Sequence, residues 1–120
     1  MSGNEFIKGT LKTIILKLLA QNKKMYGYEI TQRVAQLSKD EIKLTFGALY
    51  PTLYKLEAEG LLVTTTEIVD NRARKYYSLT AAGRKLAKVK VSELQRFSEI
   101  LSAILADSSK PNVSLKLWGS

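Results

Sequence analysis

The sequence has no cysteine and no histidine among its 120 residues. Their absence excludes disulfides, cysteine nucleophiles, histidine acid–base catalysis and the usual Cys/His zinc sites. A glycine-rich phosphate loop and clustered carboxylates are missing from the sequence as well. We therefore expect a protein that is not an enzyme, has no catalytic residues, and holds neither a metal nor a cofactor.

Long apolar runs are also missing. The apolar runs Ile14–Leu16 and Leu18–Ala20 are separated by Lys17 and are far too short to span a bilayer. The N-terminal segment carries Glu5 where a signal peptide would carry basic residues. The expectation is a cytoplasmic protein that does not bind membranes.

Acidic residues are the minority charge, with 11 Asp and Glu against 19 Lys and Arg, which leaves a net charge of +8. Such a balance favours a polyanionic partner, either nucleic acid or an anionic membrane surface, although a merely soluble basic protein would also show it. The membrane alternative needs a free basic amphipathic helix, whereas the apolar faces described below are expected to pack into a core. At this length we expect one domain, and dimerisation would cover the apolar surface that it leaves exposed.

Apolar residues recur at helical spacing through the first half of the chain. They predict a helix from about Glu5 to Gln21, a second from Met25 or Tyr26 to Leu37, and a third from about Gly47 to Glu59. A short extended piece, Glu41–Leu44, precedes the third helix, which we expect to be capped by Thr45 and stopped by Gly60. Pro51 predicts an irregular start to that helix, because proline lacks a backbone donor.

The second half of the chain reads as a hairpin followed by one long helix. Strands are predicted over Leu61–Val69 and Arg74–Leu79, with turn residues Asp70–Ala73 between them. Thr80 is placed to cap a last helix over Ala81–Ala106. The remaining residues, 107–120, include Trp118 and are predicted to form a flexible tail.

This order of elements predicts an α+β fold, mainly helical, of the winged helix-turn-helix type with a long C-terminal dimerisation helix. Residues 1–79 would form the DNA-binding domain and residues 80–106 the dimerisation helix. A helix fits the DNA major groove, where each base pair presents its own pattern of donors and acceptors. The basic tip of the hairpin would reach the adjacent minor groove or phosphates.

The candidate DNA contacts follow from this arrangement. The leucine stripe of the third helix faces the core, which leaves its polar side chains for DNA or, alternatively, as an ordinary solvated face. Strand alternation sends Arg74 and Lys75 to opposite faces of the hairpin, so only one of the two faces DNA, and we favour Arg74 with Arg72. The predicted DNA-binding residues are Lys43, Tyr50, Thr52, Tyr54, Lys55, Arg72 and Arg74.

A second set of residues predicts a homodimer. Four apolar residues follow alternating steps of three and four along the last helix, the spacing of a helix–helix seam. We expect this seam to pack across a two-fold axis together with the first helix of the partner. The predicted interface residues are Ile7, Leu11, Leu94, Phe97, Leu101 and Ile104.

Five segments of the chain resemble the signature segments of PadR-type regulators and together cover roughly residues 9 to 83. They are Gly9–Leu11, Tyr26–Ile30, Gly47–Leu53, Leu56–Leu61 and Arg74–Gly83. The resemblance implies a dimeric winged-helix repressor, with its last helix across the two-fold axis, that is often relieved by a small aromatic or hydrophobic effector. The single last helix resembles the smaller PadR subfamily. Leu94 stands where some drug-binding members have a tryptophan.

The function predicted from the sequence is a sequence-specific double-stranded DNA-binding regulator, acting as a homodimeric repressor on a pseudo-palindromic operator. The alternative is a winged-helix protein-interaction module without sequence-specific DNA binding, because a fold alone does not determine a function. A possible effector would be small and hydrophobic.

Overall fold

A computed structural model of the chain describes residues 4–109, so most of the predicted tail, including Trp118, lies outside the described residues. The elements follow the order of a winged helix-turn-helix with a long last helix. They are α1 (Asn4–Ile7), α2 (Leu11–Gln21), α3 (Gly27–Leu37), α4 (Phe46–Ala58), β1 (Leu62–Val69), β2 (Arg72–Leu79) and α5 (Ala81–Ala106).

The predicted first helix is two helices, which corrects the single span expected from Glu5 to Gln21. A turn at residues 8–10 separates α1 from α2. Thr10 forms this turn, because its hydroxyl donates to the carbonyl oxygen of Phe6 at 3.1 Å and its amide to that of Ile7 at 2.9 Å. Threonine side chains compete with helical backbone bonding in this way, and Gly9 is a weak helix former.

The core lies where α2, α3 and α4 converge beneath the hairpin and the start of α5. Two side chains of β2, Tyr77 and Leu79, belong to it and are 1% and 6% exposed. The apolar spacings of the three helices place their buried residues on the faces that meet. The buried residues contributed by these helices are Leu11, Ile15, Leu16, Leu18, Leu19, Ile30, Val34, Leu49, Leu53 and Leu56.

Helix α4 begins and ends close to the predicted residues. The Thr45 hydroxyl accepts a hydrogen bond from the Ala48 amide at 3.2 Å, and Gly60, with φ of 77°, follows the helix. The irregular start expected from Pro51 is not observed, because the helix is continuous from Phe46 to Ala58. The loss of one backbone donor is tolerated on an exposed face of the helix.

The hairpin β1–β2, called the wing below, is antiparallel with Leu62 opposite Leu79 and Val69 opposite Arg72. The turn Asp70–Asn71 has φ of 51° and 62°, the left-handed pair that fits the twist of a two-residue hairpin. The extended piece expected at Glu41–Leu44 forms no strand. Met25 instead pairs with Tyr77 through two backbone hydrogen bonds of 2.8 and 3.0 Å and occupies the free edge of β2.

Helix α5 extends beyond the core. Its 26 residues correspond to a rod of about 39 Å, yet its only buried residues are Gly83 and Ala87 in the first two turns. Thr80 caps it by accepting from the Gly83 amide at 3.0 Å, as predicted. Among residues 4–109, no helix is both long enough and apolar enough to cross a membrane.

Candidate nucleic-acid interface

Helix α4, the recognition helix of the predicted motif, turns a polar and aromatic face to solvent. Leu49, Leu53 and Leu56 are at most 1% exposed and hold the opposite face in the core. Tyr54 and Lys55 are therefore exposed, and the half-buried Thr52 lies on one flank with its hydroxyl donating to the Ala48 carbonyl oxygen at 3.2 Å. Three of the four predicted α4 residues thus offer polar groups at the surface.

The other flank of α4 is an aromatic ridge. The ring centroids of Phe46 and Tyr50 are 5.6 Å apart, and those of Tyr50 and Tyr54 are 5.9 Å apart. Phe46, which is half exposed, was not among the predicted residues although its i, i+4, i+8 spacing with the two tyrosines was visible in the sequence. Flat exposed rings beside a polar face suit close contact with sugars and thymine methyl groups.

Tyr50 is half-buried because its hydroxyl end rests on the start of α3. A Cβ added at Gly27 would lie 2.3 Å from the Tyr50 hydroxyl oxygen, so the glycine makes room for the phenol. Tyr50 therefore joins α4 to α3 as well as reaching the surface. This contact fixes the position of the aromatic ridge relative to the helix-turn-helix.

The two predicted arginines of the wing have different surroundings. Arg72 is exposed beside the Asp70–Asn71 turn. The guanidinium carbon of Arg74, in contrast, lies 4.2 Å from the centroid of the Tyr26 ring, and interaction with Tyr76 raises the pKa of this arginine. Within the described part of the chain, Arg72 thus forms no ion pair at the wing tip, whereas Arg74, two residues further along β2, is partly engaged by Tyr26.

In the middle of the wing, a stack of cations and rings ties the hairpin to the α2–α3 turn. The rings of Tyr26 and Tyr76 meet edge to face at 5.6 Å, and the Lys24 ammonium lies 4.6 Å from the Tyr76 centroid. Lys24 also pairs with Glu67 of β1. Exposed cation–π contacts contribute about 0.5–1 kcal/mol each, so the stack holds the wing in orientation more than it stabilises the fold.

Lys75 faces the opposite side of the wing from Arg74, as the strand alternation predicts. Its ammonium lies 3.9 Å from a Glu57 carboxylate oxygen of α4 and 5.4 Å from the Tyr54 ring centroid. The Thr64 hydroxyl of β1 donates to the same carboxylate at 3.3 Å. These contacts place the wing alongside α4.

Tyr77 lies beneath this junction with an unusual hydroxyl. Within the described part of the chain, the hydroxyl has no hydrogen-bond partner although the side chain is 1% exposed. Burial, followed by the neighbouring Tyr54, Glu57 and Tyr50, raises the pKa of Tyr77 to about 12. The phenol therefore stays neutral in the folded chain.

This raised pKa predicts a loss of stability at high pH. Because the unfolded tyrosine ionises near pH 10 and the folded one near pH 12, the free energy of unfolding should fall as the pH rises between those values. Tyr77→Phe should remove that component and raise the free energy of unfolding at neutral pH by about 1 kcal/mol, since it deletes an unpaired buried hydroxyl. Urea denaturation across the pH range measures both effects. Tyr28→Phe, at a tyrosine that is 51% exposed and is not among the neighbours that raise the pKa of Tyr77, is the control. Parallel pH profiles for the parent and Tyr77→Phe would contradict the assignment.

The predicted dimer residues fall into two groups. Ile7 and Leu11 are buried in the core of the single chain, so little of either side chain is left for a partner to contact. Along α5, in contrast, Phe97, Leu101 and Ile104 are 57%, 40% and 64% exposed. Ile100 and Leu105 add to this unpaired apolar face, and Leu94 is half-buried at its upper end.

An apolar groove of about 580 Å³ lies between α2, α3 and α5. Leu94 lines it together with Ile14, Val34, Leu37 and Val91. The groove continues the apolar face of α5 towards the core. It has the size and lining of a site for a small hydrophobic molecule.

Comparison with known proteins supports the winged helix-turn-helix fold and a role in transcriptional regulation. The sequence profile described as "Transcriptional regulator PadR-like family" matches residues 15–89. Transcriptional regulator Rv3488 of Mycobacterium tuberculosis is 42% identical over 80 residues, which cover 67% of this chain and 71% of that protein.

Solved structures show the same architecture. A transcriptional regulator from Clostridium thermocellum superposes with a TM-score of 0.73 at 27% identity, over 82% of this chain and 96% of that one. A PadR family transcriptional regulator from Eggerthella lenta has a TM-score of 0.71 at 25% identity, over 87% and 88% of the two chains. The winged helix-turn-helix predicted from the sequence is thereby confirmed.

Proposed function

Because the chain belongs to the PadR-like family of transcriptional regulators, we propose that it acts as a homodimeric, cytoplasmic repressor that reads a pseudo-palindromic operator in double-stranded DNA. Residues 1–79 form the DNA-binding unit and residues 80–106 the dimerisation helix. The observation that carries the proposal is the exposed face of α4, on which Tyr54 and Lys55 are open to solvent beside the wing. In this arrangement α4 enters the major groove and the wing tip reaches the flanking backbone.

The dimer is supported by the second half of α5. From Val91 onward this helix has no buried residue, yet it carries five large apolar side chains that are each at least 40% exposed. A face of this kind is rarely left to water in a soluble monomer. Pairing of two α5 helices buries it and sets two recognition helices about one turn of DNA apart.

Repression and its relief complete the proposal. A dimer bound over an operator blocks access to the DNA that it covers. The groove between α2, α3 and α5 is then a place for a small hydrophobic effector, because it adjoins the face on which the two chains pair. A molecule bound there would alter the angle between the two DNA-binding units.

Selection of bound duplexes from a random library, at near-physiological salt, tests the proposed function. Recovery of one two-fold-related motif is the expected result. Recovery of no motif, with binding that disappears as salt rises, would contradict sequence-specific regulation and favour a protein-interaction module.

The contact residues are tested on the selected duplex with Lys55→Ala and Arg72→Ala. Each substitution should lower affinity about threefold to tenfold and reduce the salt slope of log K by about 0.9, the effect of one lost phosphate contact. Lys88→Ala, an exposed lysine on α5, is the matched control. Parent-like binding by both variants across the whole salt titration would show that these contacts are wrongly assigned.

A further inference from the structure

A second groove, of about 700 Å³, runs along the flank of α4 opposite the wing. One wall is the turn between α1 and α2, another is the loop that leads into α4, and the third is the surface of α4 itself. Thr52 and Lys55 of α4 line it directly. The groove is therefore continuous with the surface that we assign to DNA.

Four lysines from three separate segments converge on this groove. Lys8 and Lys12 come from the α1–α2 turn and the start of α2, Lys43 from the loop, and Lys55 from α4. Among the residues whose side chains the structure describes, one carboxylate lines the groove, that of Glu59, which lies 3.8 Å from the Lys12 ammonium. In the described part of the chain, the other three lysines form no ion pair within 4.0 Å.

We propose that this groove seats the sugar–phosphate backbone of one DNA strand, with Lys8 and Lys12 as phosphate contacts beside the recognition helix. The proposal rests on the proposed function and adds the N-terminal segment to the DNA-binding surface. Charge complementarity identifies the occupant, because a groove with four cations and, among the described residues, one anion suits a run of phosphates. An anionic backbone here would lie at the edge of the major groove that α4 enters.

Because the lysines come from separate segments, they can fix the orientation of the protein on the duplex. Phosphate contacts fix the register and orientation of a protein on the duplex. With Lys55 as the single phosphate contact, the protein could rotate on the duplex about the axis of α4. Cations from α2 and the loop contact the backbone from a second side and restrict that rotation. The turn at residues 8–10, which breaks the predicted first helix, brings Lys8 to the rim of the groove.

Glu59 opposes the proposed occupant. Its side chain is 41% exposed and its carboxylate pairs with Lys12, so an approaching phosphate must compete with it. An exposed pair of this kind is worth little to stability. Glu59→Gln should therefore leave folding unchanged and raise operator affinity, up to about fivefold if Lys12 then gains a full phosphate contact.

The decisive experiment compares two double variants that lose the same charge. Lys8→Ala/Lys12→Ala removes two groove cations, and Lys85→Ala/Lys88→Ala removes two exposed cations of α5 that do not line the groove. On the selected duplex, the groove variant should bind about tenfold or more weakly and lose about 1.8 from the salt slope, with the α5 variant close to the parent. Equal melting temperatures establish that both variants are folded.

Two outcomes would overturn the groove assignment. One is a groove variant that loses no more affinity than the α5 variant, and the other is a Glu59→Gln variant that binds no better than the parent. Either result leaves the proposed function intact as long as the parent selects a motif. A parent that selects no motif refutes the proposed function itself, before any variant is compared.

Discussion

Substitution of Leu101 by aspartate is expected to convert the proposed dimer into monomers and to lower affinity for the selected duplex on the order of a thousandfold. Leu101 lies midway along the exposed apolar face of α5, between Phe97 and Ile104. In the paired helices a carboxylate there would be buried without a partner, and its desolvation costs more free energy than pairing of the helices contributes. A monomer retains one recognition helix and hence only the affinity of a single half-site.

The matched control is Ala103→Asp, which adds the same charge two residues along the helix, about 200° around its axis. Ala103 is also exposed, so the substitution tests charge without touching the seam. Sedimentation equilibrium gives the mass of each variant, and titration with the selected duplex gives its affinity. A monodisperse dimer that survives Leu101→Asp would show that the seam lies elsewhere.

The second large effect is on stability, at the junction between the wing and α5. A Cβ added at Gly83 would lie 2.0 Å from the carbonyl oxygen of Leu61. That oxygen also accepts the Thr80 amide at 3.1 Å, so the backbone cannot move aside without breaking the start of α5. Gly83→Ala should therefore lower the free energy of unfolding by about 3 kcal/mol and the melting temperature by roughly 10 °C.

Gly9→Ala is the control for this prediction, because a Cβ at Gly9 meets nothing within 4 Å. Its melting temperature should stay close to that of the parent. Calorimetry at one protein concentration compares the variants, since the stability of a dimer depends on concentration. If Gly83→Ala has the same melting temperature as Gly9→Ala, the close approach of α5 to Leu61 is not needed for the fold.

Local signals predicted the elements of the fold well. The caps at Thr45 and Thr80 and the stop at Gly60 are chemical features of single residues, and each lies where the sequence placed it. The break at residues 8–10 was missed because the apolar spacing continues through it. The turn depends instead on the hydroxyl of Thr10, which donates to the carbonyl oxygen of Phe6. The extended piece expected at Glu41–Leu44 does not pair with the hairpin, since the edge of β2 is taken by a residue distant in sequence, Met25.

The candidate site was less predictable, because it depends on contacts between distant segments. Exposure of Tyr54, Lys55 and Arg72 followed from helix and hairpin geometry alone. The engagement of Arg74 by Tyr26 depends on how the wing packs against the α2–α3 turn, which no local pattern contains. The approach of Lys8 to α4 likewise depends on the unforeseen turn that precedes α2.

If two recognition helices of one dimer read two half-sites on the same face of DNA, as we propose, binding must depend on the half-site spacing. Insertion of about five base pairs between the half-sites turns them to opposite faces of the duplex. Affinity is then expected to fall to that of a single half-site, while the same insertion outside the operator has no effect. Undiminished affinity for the interrupted operator would contradict the proposal.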